Sequence, residues 1–321
     1  MRLGFIRFFL AVYYSLFFSD SNGLENTTVN IKFPHNASWV ILSPIEQRIK
    51  EKIEKVGVPL KDWDIQINYG IKTGCNEAFI IDKAKKDELI RQSPNSVDII
   101  RPILRGKDIK KYGYNFAELY LLFIPWHFPL HNNKDIVGAS QEAEKAFQQE
   151  YPAIYNHLLQ YKTQLSNRNK AETGIRYEWY ALQRFGSNYM DDFNRQKIIW
   201  TDIACKPSFV FSDKEIYFLN TAYMLSGYHL HYLLHILNSK LITFYFTHTA
   251  TGLGDKGLRL FKIFVEKIPI PVYVNSDIQR SLDSYKPVIN LQSEQEKINK
   301  WVNQLYHLNT EEIEYINSIS G

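Results

Sequence analysis

The stretch KIIWTDIACKPSFVFSDKEIYFLN, residues 197–220, holds three short runs rich in β-branched and aromatic residues, at 198–203, 209–211 and 217–219. Pro207 and Asp213 separate them, so the spacing predicts three strands joined by tight connections, sharing one sheet. Helical patterns lie on either side. At Ser43-Pro44-Ile45-Glu46 a capping box with proline at the first helical position opens a helix whose Ile45, Ile49, Ile53 and Val56 line one face, and Gly57 stops it. Residues 63–69 and 78–81 read as strands around the turn 70–76, residues 83–91 as a helix, and 119–124 as a buried strand. A Pro/His/Asn-rich loop at 125–135 leads to a helical stretch over 141–165. Residues 229–246 predict one long apolar helix, too interrupted by His, Asn and Lys to span a membrane. Past Pro269 and Pro271 the chain turns polar. A second capping box at residues 293–296 predicts a helix striped by Ile298, Trp301, Val302, Leu305 and Tyr306, and Thr310-Glu311-Glu312 opens a last one.

The 321 residues are 45% hydrophobic and 22% charged, which is a globular composition, and the net charge of +4 favours a polyanion without resembling a histone-like tail. Cys75 and Cys205 are the only cysteines and follow no metal-binding or disulfide pattern, which suits a reducing cytoplasm. The first residues point elsewhere. Arg2 and Arg7 stand before and beside the apolar run 8–18, as in a secretory signal, and Asn26 and Asn36 head glycosylation sequons. Three readings of residues 1–25 stand: an export signal, an apolar element packed on the domain, or the start of a truncated reading frame.

Four segments could carry chemistry. Residues 70–77 place two glycines, Lys72, Thr73 and Asn76 in one tight turn, which can bring backbone N–H groups and a cation to a phosphate; a plain β-turn with a solvated lysine is the alternative. Residues 101–112 pack five cations against the single acid Asp108, either as a basic ridge or as a turn in which Asp108 pairs with Arg105. The glycine-rich loop 252–262 carries Lys256, Arg259 and Lys262. Arg176, Arg184, Arg195 and Lys197 alternate with Tyr177, Trp179, Tyr180 and Phe185, whose rings suit a core better than a stacking platform. No catalytic motif is found. His231 and His235 stand four apart on a helix but lack the glutamate of a zinc protease, and no nucleophile elbow appears.

Taken in order, INYGIKTGCNEAFIID (67–82), IIRPILRGKDIKKY (99–112), YPAIYNHLLQYKTQLSNR (151–168), RYEWYALQ (176–183), KIIWTDI (197–203), LLHILNSKLITFYF (233–246), VEKIPIP (265–271) and INKWVNQLYHLNTEEIEYI (298–316) resemble the C-terminal target-recognition region of TaqI-like adenine-specific DNA methyltransferases and fused restriction-modification enzymes. The resemblance runs from about residue 38 to the end. It implies an α+β fold: a mixed-sheet target-recognition domain with packed helices over 38–275 and a helical C-terminal tail over 276–321, after an unassigned segment 1–37. It implies double-stranded DNA as partner, with Lys72, Thr73, Asn76, Arg105, Lys107, Lys256 and Arg259 as contacts. Lys72, Lys107 and Lys256 are expected to position phosphates, Arg105 and Arg259 to read bases. In that family an upstream domain binds S-adenosylmethionine and holds a flipped adenine with an Asn/Asp-Pro-Pro-Tyr/Phe motif. No such motif and no glycine-rich cofactor motif precedes Trp39. Methyl transfer and its cofactor are therefore expected on a separate domain or subunit, and this chain is expected to be cytoplasmic and inactive alone. A secreted or periplasmic ligand-binding protein is the alternative that the first residues suggest.

Overall fold

The structure, a computed structural model, describes residues 42–249, 257–286 and 292–319. The readings of residues 1–25, the sequons and Lys256 lie outside the described residues. In chain order the elements are α1 (Pro44–Val56), β1 (Val58–Pro59), β2 (Ile65–Tyr69), α2 (Asn76–Phe79), β3 (Ile80–Asp82), α3 (Lys83–Gln92), β4 (Ile100–Leu104), β5 (Ile109–Lys110), β6 (Gly113–Tyr114) and β7 (Leu119–Leu122). Then follow α4 (Gln141–Glu150), α5 (Pro152–Leu159), α6 (Lys162–Asn167), β8 (Lys197–Thr201), β9 (Ile203–Ala204), β10 (Phe209–Ser212), β11 (Tyr217–Phe218) and β12 (Ala222–Gly227). The chain closes with α7 (Leu230–Leu237), α8 (Lys240–Thr249), β13 (Leu258–Arg259), α9 (Lys262–Val265), β14 (Pro269–Ile270), α10 (Asp277–Ser284), α11 (Gln292–Leu305) and α12 (Thr310–Ile319). This is the α+β class that the resemblance implies.

One antiparallel sheet, in the order β10-β8-β12-β2, is the wall between two apolar cores. Side chains alternate across a strand, so Ile199, Val210 and Met224 enter the first core while Ile198, Trp200, Phe209 and Leu225 enter the second. Being covered on both faces explains why β8 reads as an unbroken apolar run rather than an alternating one. A second sheet, β11-β4-β7-β3, mixes one parallel pair, β11 with β4, and two antiparallel ones, and its residues share the first core with α4, α5 and α6. The expectation of one sheet for 198–219 is therefore corrected: β8 and β10 pair, β9 pairs with β13, and β11 leaves to join β4.

Helix α1 has the predicted capping box, with Glu46 N–H donating to Ser43 Oγ and Ser43 N–H to Glu46 Oε2. Its Ile49 and Ile53 are fully buried in the second core, beside α7, α8 and the C-terminal helices. The stripe Ile298, Val302 and Tyr306 lies in that same core, and Tyr306 Oη donates to Pro269 O at 2.7 Å. Lys52 clips α12 to α1 by pairing with the buried Glu312 at 2.7 Å, and Tyr315 Oη donates to Glu46.

Several boundaries differ from the sequence reading. Residues 229–246 form two helices, because the Asn238 side chain donates to Phe209 O and accepts from Phe209 N–H, after which Ser239 Oγ caps α8 at Ile242 N–H. The stretch 141–165 divides into α4, α5 and α6, with Pro152 at the start of α5. Ala78 belongs to a single helical turn before β3, not to a strand. Helix α11 includes Gln292, so Ser293 lies inside it instead of capping it.

Candidate nucleic-acid interface

Strand register brings the turns of interest to one rim. Because β11 runs parallel to β4, with Tyr217 opposite Ile103 and Phe218 opposite Leu104, residues 105–108 and 219–221 leave the sheet at the same end. Strand β12 begins there too, with Ala222 opposite Thr201 at the end of β8 and Tyr223 opposite Tyr69 at the end of β2. Two glycines permit the crowding. A Cβ on Gly70 would come within 2.2 Å of Phe218 O, and one on Gly106 within 2.6 Å of Thr201 Oγ1, so neither position accepts a side chain without a shift.

In the first turn, Lys72 is exposed, and its backbone exchanges two 2.9 Å hydrogen bonds with Arg184. Thr73 is buried. Its hydroxyl donates to Asn76 Oδ1 at 2.6 Å and accepts from Cys75 N–H, so it shapes the loop and leaves outward contact to Lys72 and the exposed Asn76. Arg168, which the sequence reading missed, holds the turn from behind by donating to Thr73 O at 2.7 Å and to the carbonyls of Trp179 and Ala181. Burial pulls its pKa down, as befits a guanidinium between the rings of Phe79 and Tyr177.

In the second turn, Arg105 takes the alternative that the sequence left open. Its Nε and Nη2 fork onto Asp108 at 3.0 and 2.8 Å, and its N–H donates to the same carboxylate. Burial pushes the Asp108 pKa up, but the hydrogen bonds and charge of Arg105 outweigh it and hold the carboxyl below its ordinary value. Lys107 stays exposed, while its carbonyl accepts from Lys110 Nζ at 2.9 Å. Arg259, half-buried on β13, stands opposite Ile203 of β9, and Leu260 N–H donates to Asp202 O. Among the described residues neither Lys72, Lys107 nor Arg259 makes an ion pair.

Two apolar residues of this rim also went unread: Ile203, 45% exposed, and Tyr69, 44% exposed against Tyr189. In the sequence they look like ordinary strand residues, and only the register puts Ile203 opposite Arg259 and Tyr69 opposite Tyr223.

In the fourth basic segment the aromatic rings and Lys197 turn inward and the arginines pair with acids. Tyr177, Trp179 and Tyr180 are buried, Arg176 and Arg184 both grip Glu172, and Arg184 does so through both carboxylate oxygens. Lys197 is fully buried, with Nζ donating to the carbonyls of Phe193, Arg195 and Lys214 at 2.8 to 3.0 Å; burial lowers its pKa to about 8. Of the paired histidines, His235 is buried with Nε2 on Tyr285 O at 3.0 Å and is pushed by burial to a pKa of about 3. Among the described residues no group of three or more His, Cys, Asp or Glu side chains could hold a metal, and no helix is long and apolar enough to cross a membrane.

A rim of turns that exposes Lys72 and Lys107, at the ends of one antiparallel and one mixed sheet, defines a domain that presents loops. Residues 101–270 match the TaqI-like C-terminal specificity domain, and the chain belongs to that family. Among solved structures it is similar to the type IIG restriction endonuclease BpuSI (13% identity, TM-score 0.48) and to the type IIL restriction-modification enzyme MmeI in complex with DNA (13% identity, TM-score 0.46), each over 82% of this chain. The chain spans 33% and 36% of the length of those two proteins. No curated relative matches it.

Proposed function

We propose that this chain reads a DNA sequence on behalf of a restriction-modification enzyme. The observation that carries the reading is that the specificity-domain match, 101–270, contains both the exposed Lys107 and the half-buried Arg259, neither of which makes an ion pair among the described residues. Lys72 lies before the match but on the same rim. Lys72, Lys107 and Lys256 position phosphates, and Arg259 reads a base edge in the major groove, with Ile203 beside it suited to a thymine methyl group. Arg105 contributes to reading only through the nitrogen that Asp108 leaves free, or after releasing Asp108; Thr73 and Asn76 set the shape of the Lys72 turn.

The finer part of the proposal is that the modified base is adenine, methylated at N6 from S-adenosylmethionine by a separate catalytic domain or subunit in the cytoplasm. This chain supplies neither the methyl donor's seat nor the transfer step.

Alanine variants separate the roles. Arg259→Ala is expected to weaken binding to a cognate duplex by about 1–3 kcal/mol while leaving random duplex nearly unaffected. Lys107→Ala is expected to weaken both equally and to reduce the salt slope by about 0.9. Fluorescence anisotropy from low to physiological salt reads both; identical behaviour of the two variants and the parent would sink the assignment.

A further inference from the structure

A cation outside that rim set remains unexplained. Strands β5 and β6 pair Ile109 with Tyr114 and Lys110 with Gly113, so Lys111 and Tyr112 form a two-residue hairpin tip. Tyr112 adopts φ 62°, a left-handed conformation that aromatic residues seldom take. It is held there by its own N–H donating to Phe209 O at 3.0 Å, and by its ring, which packs 5.6 Å from that of the buried His235. The tip is thus fixed against β10 and α7, and Lys111 with it.

Lys111 is half-buried and has no hydrogen-bond partner among the described residues; its Nζ lies 6.0 Å from the centre of the Tyr112 ring. Burial and then the charges of Lys240 and Lys206 drive its pKa down to about 8. Phe209 O accepts from Tyr112 N–H, and Asn238 clamps both Phe209 N–H and O, so three segments distant in sequence meet there: the hairpin tip with Lys111, the connection before β10 with Lys206, and the start of α8 with Lys240. Lys240 is braced there, its N–H on Asn299 Oδ1 at 3.0 Å and its Nζ on Asn317 Oδ1 at 2.9 Å. Next to it runs a groove of about 330 Å³, lined by Lys300, Asn303 and Gln304 among others, with Glu296 as its one acid.

Lys197 shows what a structural lysine looks like in this fold: equally depressed, but donating to three carbonyls. Lys111 has the burial without the carbonyls. A half-desolvated cation beside two others is a cost to the free protein that an anion would remove.

We infer that Lys111, with Lys206 and Lys240, forms a seat for a phosphate group, and that its occupant is a backbone phosphate of the duplex, a contact additional to those of the sheet rim. The choice of occupant rests on the DNA-reading function proposed above; the seat itself rests on the hairpin geometry. Free phosphate shares the chemistry and is the other source to be distinguished.

The test uses the full chain with Lys111→Met, and Lys240→Gln as a second variant. Lys111→Met is expected to melt higher than the parent, since it removes a poorly solvated charge and no hydrogen bond. It is also expected to bind mixed-sequence duplex several-fold more weakly, with a salt slope smaller by about 0.9, and to lose thermal protection by inorganic pyrophosphate. Lys240→Gln, which can keep a hydrogen bond to Asn317, is expected to lose the same protection. If the parent binds duplex and both variants bind it with an unchanged slope, the seat is overturned while the recognition function stands. If pyrophosphate protects the parent but not the variants, and no duplex binds, the seat holds small anions and the DNA occupant is wrong. Equal pyrophosphate protection of parent and variants, or none of either, overturns the seat.

Discussion

Residues 101–112 and 176–197 look alike in sequence, each a string of cations among aromatic and aliphatic residues. The fold treats them oppositely. In the second segment each cation has a partner: Arg176 and Arg184 share Glu172, Arg195 lies 3.8 Å from Asp192, and Lys197 donates to three carbonyls. In the first, Arg101 pairs with Glu215 and Arg105 with Asp108, while Lys107 is exposed without an ion pair among the described residues and Lys111 is half-buried beside other cations. A count of positive residues therefore says little about binding; what matters is whether the fold supplies each cation with a partner.

The contrast can be broken by substitution, the largest effect first. Lys197→Met leaves three carbonyls without a donor in a buried place and is expected to destabilise the chain by about 3 kcal/mol or more, whereas Lys107→Met is expected to change stability by no more than about 0.5 kcal/mol. Urea denaturation of the two variants decides it: equal stabilities would mean that the carbonyl cradle contributes nothing.

A smaller effect sharpens the first segment. Asp108→Asn breaks a charge-assisted fork whose arginine is about a third exposed, so after solvent screening a loss of about 1 kcal/mol is expected. The sign with pH follows from the lowered carboxyl: the folded state holds its proton less tightly than the unfolded one, so this stability is present above the ordinary aspartate range and is lost as pH falls through the folded value. Asp108→Asn should therefore flatten the acid limb of the stability curve. A curve parallel to the parent's below pH 4 would remove the fork from the account. Because the variant frees Arg105, duplex affinity should hold or rise.

Legibility in the sequence followed the range of the interaction. Helix α1 could be read to the residue, because its capping box and Gly57 stop are local signals. Strand β8 was visible as an apolar run, but the departure of β11 to pair with β4 was not, since sheet membership depends on contacts more than a hundred residues apart. The break between α7 and α8 was hidden for the same reason: Asn238 is a helix residue by pattern and a clamp on Phe209 by tertiary structure. At the rim, Lys72, Lys107 and Arg259 stood out by charge type. Arg168 and Ile203 did not, because a half-buried arginine that holds backbone carbonyls and an exposed isoleucine are each recognised only in the folded chain.

On the function proposed above, this chain alone distinguishes one DNA sequence from others. Incubating the purified full chain with a randomised duplex library across a range of salt, and sequencing what is retained, tests it most directly. Expected is enrichment of one short motif, retained with an affinity that falls steeply with salt and with no need of S-adenosylmethionine. Retention without enrichment at every salt concentration, or no retention at low salt, would contradict it.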